Sequence, residues 1–223
     1  MILSSPVSRE KTKCKSSAIE IAMNHILIRE AVADDAPALA EVCIMAAHGV
    51  MELFYEGLVP GKSVADCVIE RRIFAPGGFA AVPRWRVAVD GAGVFLGALN
   101  SLPHQALMNA PDDPLLDETK LQPIAGLLDL EASATGSYYV NITAVYPQYR
   151  RSGAGFALMR EAERLARLEN FRTISLCTFD AVDGPLAFYR RLGFEVRDMR
   201  PVEPHPAIAV VGNFVLMVRE LGV

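Results

Sequence analysis

Residues 149–155 read Tyr-Arg-Arg-Ser-Gly-Ala-Gly and join an apolar segment to a long amphipathic one. The apolar segment is a predicted strand that Pro147 closes, and the glycines open a predicted helix that continues to about Glu169. The spacing of its apolar residues predicts that one face of the helix is formed by Ala154, Leu158, Ala162, Leu165 and Leu168. The first N–H groups of a helix have no partner within the helix, and the helix dipole favours negative charge at that end. The stretch therefore predicts a turn that binds a diphosphate group.

Two arginines stand at the mouth of this turn, and the elements that follow it decide how they are interpreted. Arg150 and Arg151 add charge-assisted hydrogen bonds to phosphate, although any solvated helix start can carry such residues. After the helix come a predicted buried strand at residues 171–178 and a short helix that contains Tyr189 and ends before Phe194. A Gly-x-Gly pattern alone is weak, so the order strand, turn, helix, strand, helix carries the prediction.

Two other phosphate motifs fit less well. A dinucleotide fingerprint needs a small third residue, and Leu158 stands there. A nucleotide P-loop ends in Gly-Lys-Ser, as residues 61–63 do, but Glu56 occupies the place of its first glycine. We interpret residues 61–63 as an ordinary turn. A nucleotide-binding protein is kept as a hypothesis that rests on these three residues alone.

The phosphate turn resembles that of the GNAT superfamily of acyl-CoA-dependent N-acyltransferases, which reads Arg/Gln-x-x-Gly-x-Gly/Ala and here is Arg150-x-x-Gly153-x-Gly155. The resemblance is specific over residues 139–196 and general elsewhere. It implies an α/β domain whose mixed, mostly antiparallel sheet splays open, is flanked by helices and holds acetyl-CoA as co-substrate in the split. It also implies the cofactor-binding residues, with the backbone of Val145 on the pantetheine arm and the rest on the diphosphate: Arg150, Arg151, Ser152, Gly153, Ala154 and Gly155.

Tyr189 stands where GNAT enzymes commonly carry a tyrosine that supplies a proton or hydrogen bond to the departing CoA sulfur. Its alternative role is to pack the short helix onto the sheet. The family pattern Asn-x-x-Ala-x-x-x-Tyr is only partly kept, because Val182 and Pro185 replace Asn and Ala. Asp183 is the nearest polar substitute in the cofactor site and the predicted cap of the short helix.

The general base is not evident from the sequence. Many relatives carry a glutamate on the strand before the turn, and this chain has Asn141 there. An amide cannot accept the proton, so Asn141 is predicted to position water or substrate. Glu131, His48 and Glu52 are candidates that folding can bring near, and His48 fits better as a residue at a helix end.

Composition narrows the function classes. The chain has 223 residues, with 22 Lys plus Arg against 26 Asp plus Glu and a pI near 5.6, which disfavours nucleic acid as a partner. No apolar run approaches the roughly 20 residues of a membrane span, so we expect a soluble protein with no membrane partner. The spacing of the cysteines indicates no metal site and no disulfide framework, which favours the cytoplasm: Cys14, Cys43, Cys67 and Cys177.

One domain is expected for this length. Residues 1–22 are predicted to be a loosely ordered N-terminal extension and residues 23–223 the domain, with Met23 as an alternative start to Met1. Residues 101–136 are predicted to be an insertion, since they hold several prolines and are too long for an ordinary connection. We expect this insertion and residues 45–55 to form the acceptor pocket, and a contact in a homodimer is the alternative role for the insertion.

The leading hypothesis is an enzyme that transfers an acetyl group from acetyl-CoA to a primary amine of a small molecule or peptide, by direct attack in a ternary complex. The alternative is a non-catalytic, acyl-CoA-binding regulatory module with the same fold. The absence of a carboxylate at Asn141 favours the module, and the presence of Tyr189 favours the enzyme.

Overall fold

A sheet of seven strands in the order β1-β2-β3-β4-β5-β7-β6 organises the protein, whose residues 26–182 and 184–222 are described by a computed structural model. Neighbouring strands are antiparallel except β4 and β5, which are parallel. The predicted α/β fold with a mixed, mostly antiparallel sheet is confirmed. The strands are β1 (Leu27–Glu30), β2 (Trp85–Val89), β3 (Phe95–Pro103), β4 (Tyr138–Val145), β5 (Thr173–Phe179), β6 (Glu195–Pro201) and β7 (Asn213–Glu220).

Helices lie in several of the connections between these strands. The α-helices of the described residues are α1 (Ala36–Ala47), α2 (Val50–Tyr55), α3 (Val64–Val68), α4 (His104–Met108), α5 (Glu118–Leu121), α6 (Ala125–Ser133), α7 (Ala154–Leu168) and α8 (Pro185–Arg191). A π-helical turn (Ile69–Ile73) extends α3. The predicted insertion at residues 101–136 thus contains the end of β3 and three of the helices. The predicted extension, residues 1–22, lies outside the described residues.

The sheet separates two apolar cores. The first core contains buried residues of α1, α2 and α3, such as Leu39 and Phe54, together with Trp85 from β2. The second core joins α7 and α8 to the opposite face through residues such as Leu158 and Leu176. Each large apolar side chain that is fully buried in this way stabilises the fold by about 1.5–3 kcal/mol relative to exposure.

Helix α7 shows where the sequence pattern predicted a buried face and where it did not. Leu158 and Ala162 are buried, as the apolar spacing predicted, but Leu168 is 65% exposed, so its predicted place on the buried face is wrong. The buried stripe passes through Ala162 and Ala166. Leu168 follows Ala162 by six residues, which at 3.6 residues per turn turns its side chain about 120° away from that stripe.

The parallel pair β4 and β5 is joined only at one end. β4 then continues to Val145, still paired with Gly97 of β3, while β5 continues to Phe179, still paired with Phe214 of β7. The two halves of the sheet therefore separate beyond the last parallel pair and leave an open split between them. The parallel pairs are Tyr138 with Ile174, Tyr139 with Ser175 and Val140 with Leu176.

An irregularity in β4 sets which side chains face this split. The register with β3 shifts between Asn100 and Ser101, opposite Asn141. Asn141 and Ile142, although consecutive, then both line the same cavity on the face of the first core. A bulge re-aims side chains in this way, and here it directs the amide of Asn141 into the site.

Candidate active site

The predicted phosphate turn enters α7 through two residues in left-handed conformation. Gly153, the N-cap of α7, has φ of 97°, and Arg151 has φ of 65°, which is costly for a residue with a side chain. Ala157 N–H donates to Gly153 O at 3.0 Å, so the N–H of Gly155 precedes the first intrahelical bond and is directed out of the helix end. Backbone of this shape presents its N–H groups as a concave anion site.

Two N–H groups of the predicted cradle already have partners within the turn. The N–H of Ser152 donates to Tyr149 O at 3.4 Å, and the N–H of Ala154 donates to Ser152 Oγ at 3.3 Å. These bonds shape the turn. Of the predicted cradle, the N–H groups of Arg151, Gly153 and Gly155 are the ones best suited to reach a diphosphate.

The other predicted cofactor residues lie beside this turn at the open end of the split. Arg150 Nε donates to Val145 O at 3.4 Å, which places its guanidinium next to the end of β4. A Cβ at Gly155 would lie 3.5 Å from Phe188 Cζ of α8 and 3.8 Å from Val145 Cγ2. The structure thus brings together the end of β4, the turn and the start of α8. Asp183 lies outside the described residues, and the N-cap of α8 is Gly184.

A cavity of about 850 Å³ lies on the face of the first core and reaches the split. The two edges of the split contribute Asn141 and Ile142 from β4 and Cys177 and Phe179 from β5. The two predicted segments both line it: residues 45–55 contribute Met51, Phe54 and Tyr55, and residues 101–136 contribute Leu107, Asp113, Leu121, Ile124 and Glu131. A third wall, from Glu70 to Ala80, was missed, because its short apolar and basic helix carries no motif.

Glu131 is the acidic group that this cavity brings next to the split. Tyr139 Oη donates to its Oε1 at 3.0 Å. Burial raises the pKa of Glu131 to about 7, and the hydrogen bond from Tyr139 and the charge of Arg72 oppose that rise. The carboxyl therefore changes charge near neutral pH, which is the range a general base needs.

Cys177 lies across the split from Tyr139. Burial, aided by the charge of Glu131, raises the pKa of its thiol to about 12. The thiol is therefore protonated at neutral pH and is a poor nucleophile.

The two predicted catalytic residues belong to opposite faces of the sheet. Asn141 Nδ2 donates to Asn100 Oδ1 at 2.8 Å, which fixes its amide in the cavity wall. Tyr189 is 8% exposed in the second core, with its ring centroid 5.3 Å from that of Phe188 and 5.9 Å from that of Phe194. Burial raises the pKa of Tyr189, so its hydroxyl is protonated at neutral pH. The split is the gap that connects the two faces.

Two other predicted candidates for the base are less suited. His48 ends α1 in left-handed conformation, and its ring centroid lies 5.3 Å from that of Phe179. Burial, and then the charge of Arg150, lower its pKa, which makes the imidazole a weaker base, and His48 is not among the residues that line the cavity. Glu52 lines a separate small cavity with Lys120 and His205, away from the split.

Residues 61–63 form the turn that was predicted in preference to a P-loop. Ser63 Oγ caps α3 by accepting the N–H of Asp66 at 3.1 Å, and Lys62 forms an ion pair with Glu70. A turn, with no strand directly before it, leads into this five-residue helix. The local structure is explained by capping alone.

Comparison with known proteins agrees with this geometry. The model of the acetyltransferase (GNAT) family matches residues 111–194. A structure described as that of an acetyltransferase superposes with a TM-score of 0.59 at 16% identity, over 88% of this chain and 100% of the other. A GCN5-related N-acetyltransferase from Kribbella flavida gives 0.55 at 20% identity, over 87% and 97% of the two chains. None of the curated proteins compared matches the sequence significantly.

A third similar structure is the polyamine N-acetyltransferase of Drosophila melanogaster, with a TM-score of 0.58 at 13% identity, over 87% of this chain and 99% of the other. These findings confirm the resemblance to the GNAT superfamily, and the fold is that of GNAT N-acetyltransferases. Together they support an acyl-CoA-dependent N-acetyltransferase in general.

Membrane-spanning helices and metal sites are both absent from the described residues. None of their helices combines the length and the apolar character that crossing a membrane requires. Within the same residues, no three His, Cys, Asp or Glu side chains are grouped in a way that would hold a metal ion.

Replacement of Arg150 by alanine tests the phosphate turn. CoA should raise the melting temperature of the wild type by mass action, and Arg150→Ala should weaken CoA binding by roughly 10- to 100-fold, because one charge-assisted contact is lost. Thermal shift against CoA concentration measures both effects. Arg197→Ala, on the exposed edge strand β6, is the matched control and should bind CoA like the wild type. No shift of the wild type at saturating CoA would contradict the assignment.

Proposed function

We propose that the protein transfers an acetyl group from acetyl-CoA to a primary amine of a small molecule or peptide, by direct attack in a ternary complex. One observation carries the proposal: the split between β4 and β5 adjoins the predicted phosphate turn at one end and a cavity of about 850 Å³ on one face. The turn suits the charged end of acetyl-CoA, and the cavity offers space for a second substrate next to the thioester.

The acceptor class also draws support from proteins of similar fold. The Drosophila enzyme is described as catalysing the formation of N-acetylagmatine. A mosquito protein described as arylalkylamine N-acetyltransferase-like superposes with a TM-score of 0.55 at 17% identity. Both names refer to amine acceptors, which favours an amine here as well.

The residues around the split fit acetyl-CoA in three respects. The N–H groups of Arg151, Gly153 and Gly155 are suited to bind an anion, and Arg150 adds positive charge beside them. The free edge of β4 at Val145 offers backbone hydrogen bonds to the pantetheine arm, as strand edges do for extended ligands. When bound, acetyl-CoA supplies the activated acetyl group.

Glu131 is the group that we assign as general base. It lies in the cavity, its pKa is about 7, and the amide of Asn141 cannot take its place. The amine nitrogen forms a bond to the acetyl carbonyl carbon as the carbon–sulfur bond breaks. Glu131 accepts the proton that the nitrogen loses, Tyr189 donates the proton that the sulfur gains, and solvent restores both residues. Asn141 positions the acceptor or a water beside Glu131.

A second candidate function is the non-catalytic acyl-CoA-binding module, which the amide at Asn141 favours. Release of thiol from acetyl-CoA, with a broad panel of primary amines, distinguishes the two. Turnover with any amine supports the enzyme, whereas CoA binding without turnover across the panel supports the module. Protection of the fold by ATP or GTP in preference to CoA would support the nucleotide-binding hypothesis instead.

A cytoplasmic location remains part of the proposal. Cys43, Cys67 and Cys177 are free thiols, and the first two are buried. Unpaired cysteines are typical of proteins from reducing compartments.

Tyr189→Phe tests the general acid. The substitution removes one hydroxyl and keeps the ring against Phe188 and Phe194, so folding and CoA-induced stabilisation should be unchanged. We expect kcat to fall by about 100-fold, the lower end of what a positioned proton donor contributes. Tyr149→Phe, at the phosphate turn, is the control for loss of a tyrosine hydroxyl. Unchanged kcat in Tyr189→Phe would leave this residue with a packing role only.

The pH dependence tests Glu131. Below its pKa of about 7 the carboxyl is protonated and cannot accept a proton, so loss of this base should lower kcat/KM by about a further tenfold per pH unit, in addition to the loss caused by protonation of the amine. An amine acceptor titrates near pH 10 and gives a separate limb. Glu131→Gln should lower kcat by roughly 10²- to 10⁴-fold and abolish the limb near pH 7.

Tyr139→Phe is the companion variant for this profile. The hydroxyl of Tyr139 stabilises the ionised carboxylate and lowers the pKa of Glu131, so its removal should move the limb to higher pH without abolishing activity. A limb that stays in place in both variants would show that another group is the base.

A further inference from the structure

One arginine in the cavity is held rigidly by aromatic rings. The guanidinium carbon of Arg72 lies 5.1 Å from the ring centroid of Phe54, 5.2 Å from that of Phe79 and 5.7 Å from that of Tyr55. Its Nε donates to Tyr55 Oη at 3.0 Å. Stacking and this hydrogen bond fix the plane of the guanidinium before any ligand binds.

Arg72 differs from its neighbour in having no acidic partner. Arg71 forms an ion pair with Asp113, which also accepts a hydrogen bond from Tyr55 Oη at 3.1 Å. Among residues 26–182 and 184–222, no aspartate or glutamate forms an ion pair with Arg72. Its Nη1 and Nη2 groups remain as a planar pair of donors, the arrangement that binds a carboxylate through two parallel hydrogen bonds.

Glu131 lines the same cavity as Arg72. The two lie too far apart for an ion pair, yet the charge of Arg72 acts on the Glu131 carboxyl. In an α-amino acid, the amine and the carboxylate are bonded to the same carbon. An acceptor carboxylate bound by Arg72 would therefore hold the amine close to the base.

Much of the wall is apolar and suits an apolar side chain, although Glu70, Arg71, Asp112 and Asp113 also line the cavity. Met51, Leu107, Leu116 and Ile124 line the cavity. An amine without a carboxylate would leave the guanidinium of Arg72 without a carboxylate partner from the acceptor, and this difference adds selectivity.

We propose that the acceptor is an amino acid with an apolar side chain, whose carboxylate is bound by Arg72. This inference rests on the proposed function, because it names the acceptor class of the same site. It makes Arg72 a specificity-determining residue and separates this cavity from one built for a simple cationic amine.

The test compares acceptors that differ by the carboxylate alone. Matched pairs are L-phenylalanine with 2-phenylethylamine and L-leucine with 3-methylbutylamine. The wild type should prefer the amino acid by about 10- to 100-fold in kcat/KM, as a charge-assisted pair predicts. Arg72→Gln should bring this ratio close to one, mainly through KM of the amino acid. Comparison of ratios between variants cancels the different basicity of the two amines.

Two further variants control for a loss of folding in Arg72→Gln. Arg72→Lys keeps the charge but loses the planar pair of donors, so its ratio should lie between those of the wild type and Arg72→Gln. Arg197→Gln, on the exposed edge strand β6, should keep the wild-type ratio. If Arg72→Gln does not fold, the ratio in Arg72→Lys decides, and a ratio equal to that of the wild type overturns the role of Arg72.

A binding measurement separates failure of this inference from failure of the proposed function. Turnover of the plain amines as fast as, or faster than, their amino acids overturns the inference and leaves the acetyltransferase intact. If CoA stabilises the protein but no acceptor is acetylated, the proposed function fails. In that case thermal shift of the CoA-loaded protein decides: stabilisation by the amino acids and not by the plain amines supports the carboxylate site, and equal effects contradict it.

Discussion

The site depends on the short pairing between β4 and β5. Three residue pairs join these parallel strands, after which each strand keeps only its antiparallel neighbour on the other side. Backbone N–H and C=O groups on the two free edges then face the gap and need partners. An extended ligand can supply them by pairing with a strand edge. The split is thus a binding feature that the strand pairing itself creates.

Positive charge lies at one end of this split, and titratable groups lie on its two faces. The left-handed turn before α7 and Arg150 concentrate positive potential at one end, where a diphosphate would lie. The cavity wall places a titrating carboxyl, Glu131, on one face, and the other face holds Tyr189 in its protonated form. Cofactor binding and proton transfer can therefore be altered by separate substitutions.

The parts predicted from the sequence were those that local chemistry determines. The turn at residues 149–155 was predicted because glycine spacing and the helix that follows are local signals, and the structure has α7 starting at Ala154. A pocket built by residues 101–136 and residues 45–55 was predicted partly from the length and prolines of the first segment, and both segments line the cavity. The roles of the individual cradle residues stay predictions.

The remaining features arise from contacts between distant parts of the chain. Glu131 was one of several candidates, and its hydrogen bond with Tyr139 and its neighbour Cys177 appear only when α6, β4 and β5 pack together. No role was predicted for Arg72, because the position of its guanidinium depends on rings from α2 and from Phe79. Leu168 was misplaced because its side chain lies about 120° around the helix from the buried stripe.

A crystal structure of the protein with CoA tests the central claim most directly. The account predicts that the diphosphate contacts the backbone N–H groups between Arg151 and Gly155, and that the pantetheine arm runs along Val145 into the gap between β4 and β5. Its thiol should point towards the cavity that contains Glu131. CoA bound elsewhere, with the gap closed by pairing of β4 and β5 along their full lengths, would contradict the account.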